Sequence, residues 1–114
     1  MSSQVTIYHN PRCQKSRQTL ELLRSHGVEP KIVEYLKSPL DEKTLAKLVK
    51  QLGGDAKLLV REKDWRKLGL PQPADSEEIL QTLAEHPALI ERPIVVSGGK
   101  ARLGRPPENV LELL

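Results

Sequence analysis

The chain has 114 residues, 38% hydrophobic and only 3% aromatic with no phenylalanine, which is enough for one domain with an aliphatic core and too little for two. Its 18 Lys and Arg against 15 Asp and Glu leave a net charge of +3, too mild to indicate nucleic acid and better matched to a small anion. A single cysteine excludes an internal disulfide and points to a reducing, cytoplasmic setting; Met1-Ser2-Ser3-Gln4 lacks signal-peptide character, and no apolar run approaches membrane-spanning length.

Val5 to His9 reads as a short strand closed by the turn signal Asn10-Pro11. A helix follows from Gln14 to Ser25, with Ser16, Thr19, Leu20 and Leu23 on one face and Gly27 past its end. Lys31 to Tyr35 is a second strand, so the first thirty-odd residues form a strand-helix-strand unit with parallel strands. Ser38-Pro39 breaks the chain. Leu45, Leu48, Val49 and Leu52 mark an amphipathic helix that Gly53-Gly54 stops, and Asp55 caps a further stretch from Ala56 to Val60. Trp65, Leu68 and Leu70 form a short packed segment before Pro71 and Pro73. Ser76 is the expected N-cap of a helix through Ile79, Leu80, Leu83 and Ala84 that ends at Pro87. Pro93 to Val96 is a third strand, Gly98-Gly99 a hairpin turn and Lys100 to Leu103 the returning strand. Gly104-Arg105-Pro106-Pro107 then starts a last helix with Val110, Leu111 and Leu114 apolar.

The most informative position is Cys13, where the first strand gives way to the first helix. A helix start presents unpaired N–H groups and the positive end of the helix dipole. Both push a thiol toward its nucleophilic thiolate form and hold anions. Arg12, Lys15 and Arg17 add positive charge around it. A pKa below the usual thiol range is therefore expected for Cys13. The opposite reading, a small buried apolar side chain, fits poorly between Arg12 and Gln14-Lys15. Ser16 occupies the place of the second cysteine in a dithiol motif, so Cys13-Gln14-Lys15-Ser16 is a monothiol arrangement, and any redox cycle must borrow an external thiol. One cysteine and three scattered histidines give no metal-ligand spacing, so no metal is expected.

The order of elements resembles an α/β thioredoxin-like fold: a mixed four-stranded sheet with a helical insertion between the second and third strands, a single domain over 1–114. That fold implies a reactive cysteine facing a cis-proline, here Cys13 and Pro93. Four segments sharpen the resemblance: Tyr8-His9-Asn10-Pro11-x-Cys13-x-x-Ser16-Arg17, Leu58-Leu59-x-Arg61, Arg92-Pro93-Ile94-Val95-Val96 and Arg102-Leu103-x-Arg105-Pro106. Together they are similar to the glutaredoxin-coupled arsenate reductases. The resemblance implies Cys13 as nucleophile, Arg61, Arg92 and Arg105 as oxyanion-holding arginines, and His9, Ser16 and Arg17 as support for the thiolate. It implies arsenate or a similar oxyanion as substrate, no bound cofactor, glutathione as co-substrate and glutaredoxin as partner. Neither nucleic acid nor membrane is expected, and the compact aliphatic core makes a monomer the default.

Arginine's planar, permanently charged fork suits such an anion. Taken singly, each arginine has an ordinary alternative: Arg61 beside Glu62 and Asp64, Arg92 paired with Glu91 or Glu62, Arg105 complementing a carboxylate near the last helix. Arg102 reads as a surface residue, and His26 and His86 as solvent-facing. The chain departs from the family's pattern at Arg12, at Gln14-Lys15 and in stopping at Leu114. Two other classes therefore stay open: a glutathione-dependent thiol/disulfide reductase, which would not need all three arginines, and a non-enzymatic Spx-like interaction module, against which Ser16 counts.

Overall fold

The structure, a computed structural model, describes residues 4–72 and 75–114; Pro73, named above as a chain breaker, and Met1 to Ser3 lie outside them. The chain divides into two compact units, one built from the chain up to Ser38 together with Arg92–Leu114, the other from Pro39–Glu91.

The first unit is a mixed four-stranded sheet of order β2-β1-β3-β4, with β1 at Thr6–Tyr8, β2 at Lys31–Val33, β3 at Ile94–Ser97 and β4 at Lys100–Leu103. β1 runs parallel to β2, as a strand-helix-strand unit requires, and antiparallel to β3, with Ile7 opposite Ile32 on one side and Val95 on the other. β2 stops short of the expected Tyr35. It is an edge strand whose pairing with β1 ends at Val33, and the Glu34 carbonyl instead accepts the N–H groups of Lys37 and Ser38 in a turn. The helix α1 spans Gln14–Ser25. It ends as the sequence indicates: Gly27 takes φ +79° and its N–H reaches the Arg24 carbonyl while Val28 N–H reaches that of Leu23, a Schellman turn. Leu23 of α1 joins Val5, Ile7, Val95 and Val110 in the buried core, with Leu20, Val28 and Leu113 packed against it.

The terminal segment differs from expectation. Pro107–Leu113 is a 3-10 helix, packed on α1 and β4. Three residues per turn align Pro107, Val110 and Leu113 toward the core, whereas an α-helix would have used Val110, Leu111 and Leu114. Leu114 is accordingly exposed.

The second unit is helical. α2 covers Glu42–Leu52, capped by the Asp41 carboxylate on Thr44 N–H, and a 3-10 turn at Ala56–Leu59 is capped by Asp55. α3 is Glu62–Lys67 and α4 is Ser76–Glu85. Asp75, not Ser76, is the N-cap of α4: from there its carboxylate accepts Glu78 N–H at 2.9 Å, and Glu78 falls at the third helical position, where an acidic residue complements a cap. α2, α4 and the Ala56–Leu59 turn pack together around Leu45, Leu48, Leu59, Ile79 and Leu83. Trp65 is buried and bonds the Pro71 carbonyl, but Leu68, expected to pack, is 55% exposed. Among the described residues no helix is long and apolar enough to cross a membrane.

Candidate active site

β1 delivers the chain to a loop with little freedom. His9 N–H bonds the Val33 carbonyl of β2. Asn10 organises the turn: its carbonyl accepts Cys13 N–H and its side-chain oxygen accepts Arg12 N–H, both at 3.0 Å. Arg17, one turn into α1, donates back to the Pro11 carbonyl at 2.9 Å. Cys13 thereby becomes the N-cap residue of α1, half-exposed and extended, its carbonyl accepting Arg17 N–H. A thiol is a poor cap, and Cys13 makes no formal side-chain capping bond, yet the Ser16 N–H still favours its charged form.

The cationic partners arrive from the far end of the sequence. The Arg92–Pro93 peptide bond is cis. Arg105 Nε donates to the Arg92 carbonyl at 2.8 Å, and its Nη2 reaches the Cys13 sulfur at 3.7 Å across 92 positions of sequence. Arg105 comes this close because Gly104 has no side chain: a Cβ there would strike the Thr19 hydroxyl and lie 2.7 Å from the Pro93 ring, while Gly104 N–H bonds the Pro93 carbonyl. The balance at the sulfur is clear in direction. Partial burial, the largest effect, pushes the Cys13 pKa up; the Ser16 N–H, the Arg92 guanidinium and the Arg105 charge together outweigh it and bring the pKa below its ordinary 9.0.

His9 and Ser16 form a buried pair behind the thiol. Ser16 Oγ lies 2.6 Å from His9 Nδ1 and accepts Asn10 N–H at 3.1 Å. Burial lowers the His9 pKa, with Arg24 and Arg17 acting in the same sense and Glu34 opposing, so the ring is neutral at neutral pH.

The sequence and the fold are shared with known proteins. The ArsC family's sequence profile matches residues 8–113. The arsenate reductase of Haemophilus influenzae (strain ATCC 51907 / DSM 11121 / KW20 / Rd) is 46% identical over 96% of this chain and 98% of its own. The chain belongs to the ArsC family. A protein of Escherichia coli (strain K12) called YfgD, described as uncharacterized, is 52% identical over 100% of this chain and 99% of its own. The solved arsenate reductase from Vibrio cholerae superposes on this ArsC chain with a TM-score of 0.88 at 43% identity, covering 100% of both. The α/β thioredoxin-like architecture is thus common to the family and to this chain.

Within this ArsC chain, Cys13, Ser16, Arg92 and Arg105 come together, His9 joins them through Ser16, and Arg17 holds the loop rather than the sulfur. Arg61 belongs to the helical unit, where its Nε donates to Asp64 at 2.7 Å and its Nη1 to Glu91 at 3.0 Å. Of its two neighbouring carboxylates it therefore takes Asp64 and leaves Glu62 to Arg66, and Glu91 is its second partner. Arg102 pairs with Glu112, while His26 and His86 are exposed. Asn10, Thr19 and Gly104 shape the site without having been singled out for it. Asn10-Pro11 carried a turn signal, but Gly104 owes its importance to a crowding that only the assembled unit reveals. Among the described residues no three His, Cys, Asp or Glu side chains gather as a metal site would.

Proposed function

We propose that this ArsC chain reduces arsenate to arsenite at Cys13. One observation carries the reading: a thiol of lowered pKa at a helix start, with Arg105 at 3.7 Å and Arg92 beside it, pairs a nucleophile with donors for a tetrahedral oxyanion. The name shared by full-length relatives supplies the substrate. Arg92 and Arg105 hold the arsenate oxygens, while His9, Ser16 and Arg17 keep the loop and thiolate in place. The Cys13 thiolate attacks arsenic and a protonated oxygen leaves as water, giving a sulfur–arsenic(V) adduct. A glutathione thiolate then attacks the Cys13 sulfur. The sulfur–sulfur bond forms, the sulfur–arsenic bond breaks, and its electron pair goes to arsenic, which leaves as arsenite. Glutaredoxin takes up the glutathione moiety by thiol exchange and returns Cys13 to the thiolate. The chain has no second cysteine for this step. The reading takes the protein as one cytoplasmic, monomeric catalytic domain.

NADPH consumption coupled through glutathione reductase, glutathione and glutaredoxin tests it. Turnover that requires arsenate and disappears in Cys13→Ser is the expected result. Turnover on mixed disulfides alone would instead identify a thiol/disulfide reductase. Absence of both, with stable capture of a partner protein, would identify an interaction module.

A further inference from the structure

A cavity of about 260 Å³ opens on the other flank of the cysteine loop. One wall is the segment His9 to Arg12, the other the turn after β2 carrying Glu34, Leu36 and Lys37. Both walls are preformed, by the Asn10 and Arg17 bonds on one side and by the Glu34 carbonyl on the other. Sheet order decides what this means. β1, which leads to Cys13, has β2 on one side and β3 on the other, and Arg92 and Arg105 come from the β3–β4 side. The cavity sits on the β2 side. The two arginines thus reach the sulfur from the β3–β4 side, and displacement at sulfur requires attack from behind the breaking bond.

The rim has a distinct charge pattern. Arg12 is exposed and makes no ion pair among the described residues. Lys37 meets Glu34 at 3.7 Å with most of its side chain in water, an association easily exchanged for a ligand. Pro11 and the 44%-exposed Leu36 add apolar surface between them. Two cations and one carboxylate around a partly apolar floor complement a ligand with two carboxylates and one ammonium group. Arg12 is the residue next to Cys13, which keeps the cavity's rim within one residue of the sulfur-bearing position.

We propose that this cavity docks the reductant of the reaction above, a short peptide thiol with two carboxylates and one ammonium, with Arg12 and Lys37 binding the carboxylates and Glu34 the ammonium. The assignment rests on the reductase reading for its purpose, though its binding test does not. Glutathione and uncharged 2-mercaptoethanol are compared as reductants at saturating arsenate. In Arg12→Ala/Lys37→Ala the KM for glutathione should rise about tenfold, with kcat and the KM for 2-mercaptoethanol held, since each lost charge-assisted bond is felt as affinity. Lys100→Ala, an exposed cation outside the cavity, should change neither. An unchanged glutathione KM, an equal shift for both thiols, or an equal effect of Lys100→Ala overturns the proposal. Binding is read independently by titrating unreactive S-methylglutathione into ¹⁵N-labelled Cys13→Ser protein. Amide shifts at Asn10, Arg12, Leu36 and Lys37 that vanish in the double substitution are expected, even if arsenate proves not to be the substrate. Shifts centred on Ile94 and Arg105 instead would refute this docking site.

Discussion

The two compact units treat the same residue type in opposite ways. In the helical unit, with eight Lys and Arg against ten Asp and Glu, Arg61 is taken up by two carboxylates. In the sheet unit, with ten against five, Arg105 reaches a sulfur and the Arg92 guanidinium lies beside it. The modest overall charge of +3 therefore hides a segregation: the positive excess lies with the unit that holds the cysteine. An arginine neutralised by carboxylates brings less net charge to an oxyanion than one facing a thiolate, so the catalytic weight of the arginines should follow their partners.

Substitution sharpens that contrast. Arg105→Ala and Arg92→Ala should each lower kcat/KM for arsenate by roughly 10- to 100-fold, the scale of a lost charge-assisted bond, and each should raise the Cys13 pKa. Arg61→Ala should cost less in kcat/KM and leave the thiol pKa where it was. An Arg61 effect as large as that of Arg105 on both quantities would break the comparison. Stability separates the units in the reverse sense. Leu83→Ala, emptying a fully buried position of the helical unit, should cost about 2–5 kcal/mol in denaturant unfolding with no change in thiol titration. Gly104→Ala should cost a smaller 1–3 kcal/mol, roughly, from overlap with Thr19 and Pro93, but should shift the thiol pKa upward by displacing Arg105.

The smallest expected effect concerns pH. His9 has a lower pKa folded than unfolded, so the unfolded chain binds the extra proton first. Its contribution to stability is present above an unfolded value of about 6.5 and is lost as pH falls through the folded pKa. His9→Gln should flatten the fall in unfolding free energy as pH drops below about 6.5; an unchanged slope would place the acid sensitivity elsewhere.

Local order was the readable part of the sequence. The helix Gln14–Ser25, its Gly27 terminus and the hairpin around Gly98-Gly99 follow from periodicity and turn chemistry, which act over a few residues. Where two local signals competed, the choice depended on geometry. Asp75 and Ser76 can both cap, but only Asp75 sets Glu78 at the third position, and the terminal apolar residues suit either three or 3.6 per turn until a core selects Pro107, Val110 and Leu113. The meeting of Arg105 with Cys13 was accessible only through family resemblance, because no periodicity spans 92 positions. The partners of Arg61 were among several carboxylates within reach of the eye, and the fold chose between them.

Everything functional in this account depends on an ionised sulfur stabilised by Arg92 and Arg105. Titrating the Cys13 thiol by its thiolate absorbance, or by alkylation rate against pH, measures that state directly. The wild-type chain should show a pKa below 9.0, moving up in Arg105→Ala and also when a bound oxyanion takes up the arginines' charge. A pKa at or above 9.0 that ignores both changes would contradict this.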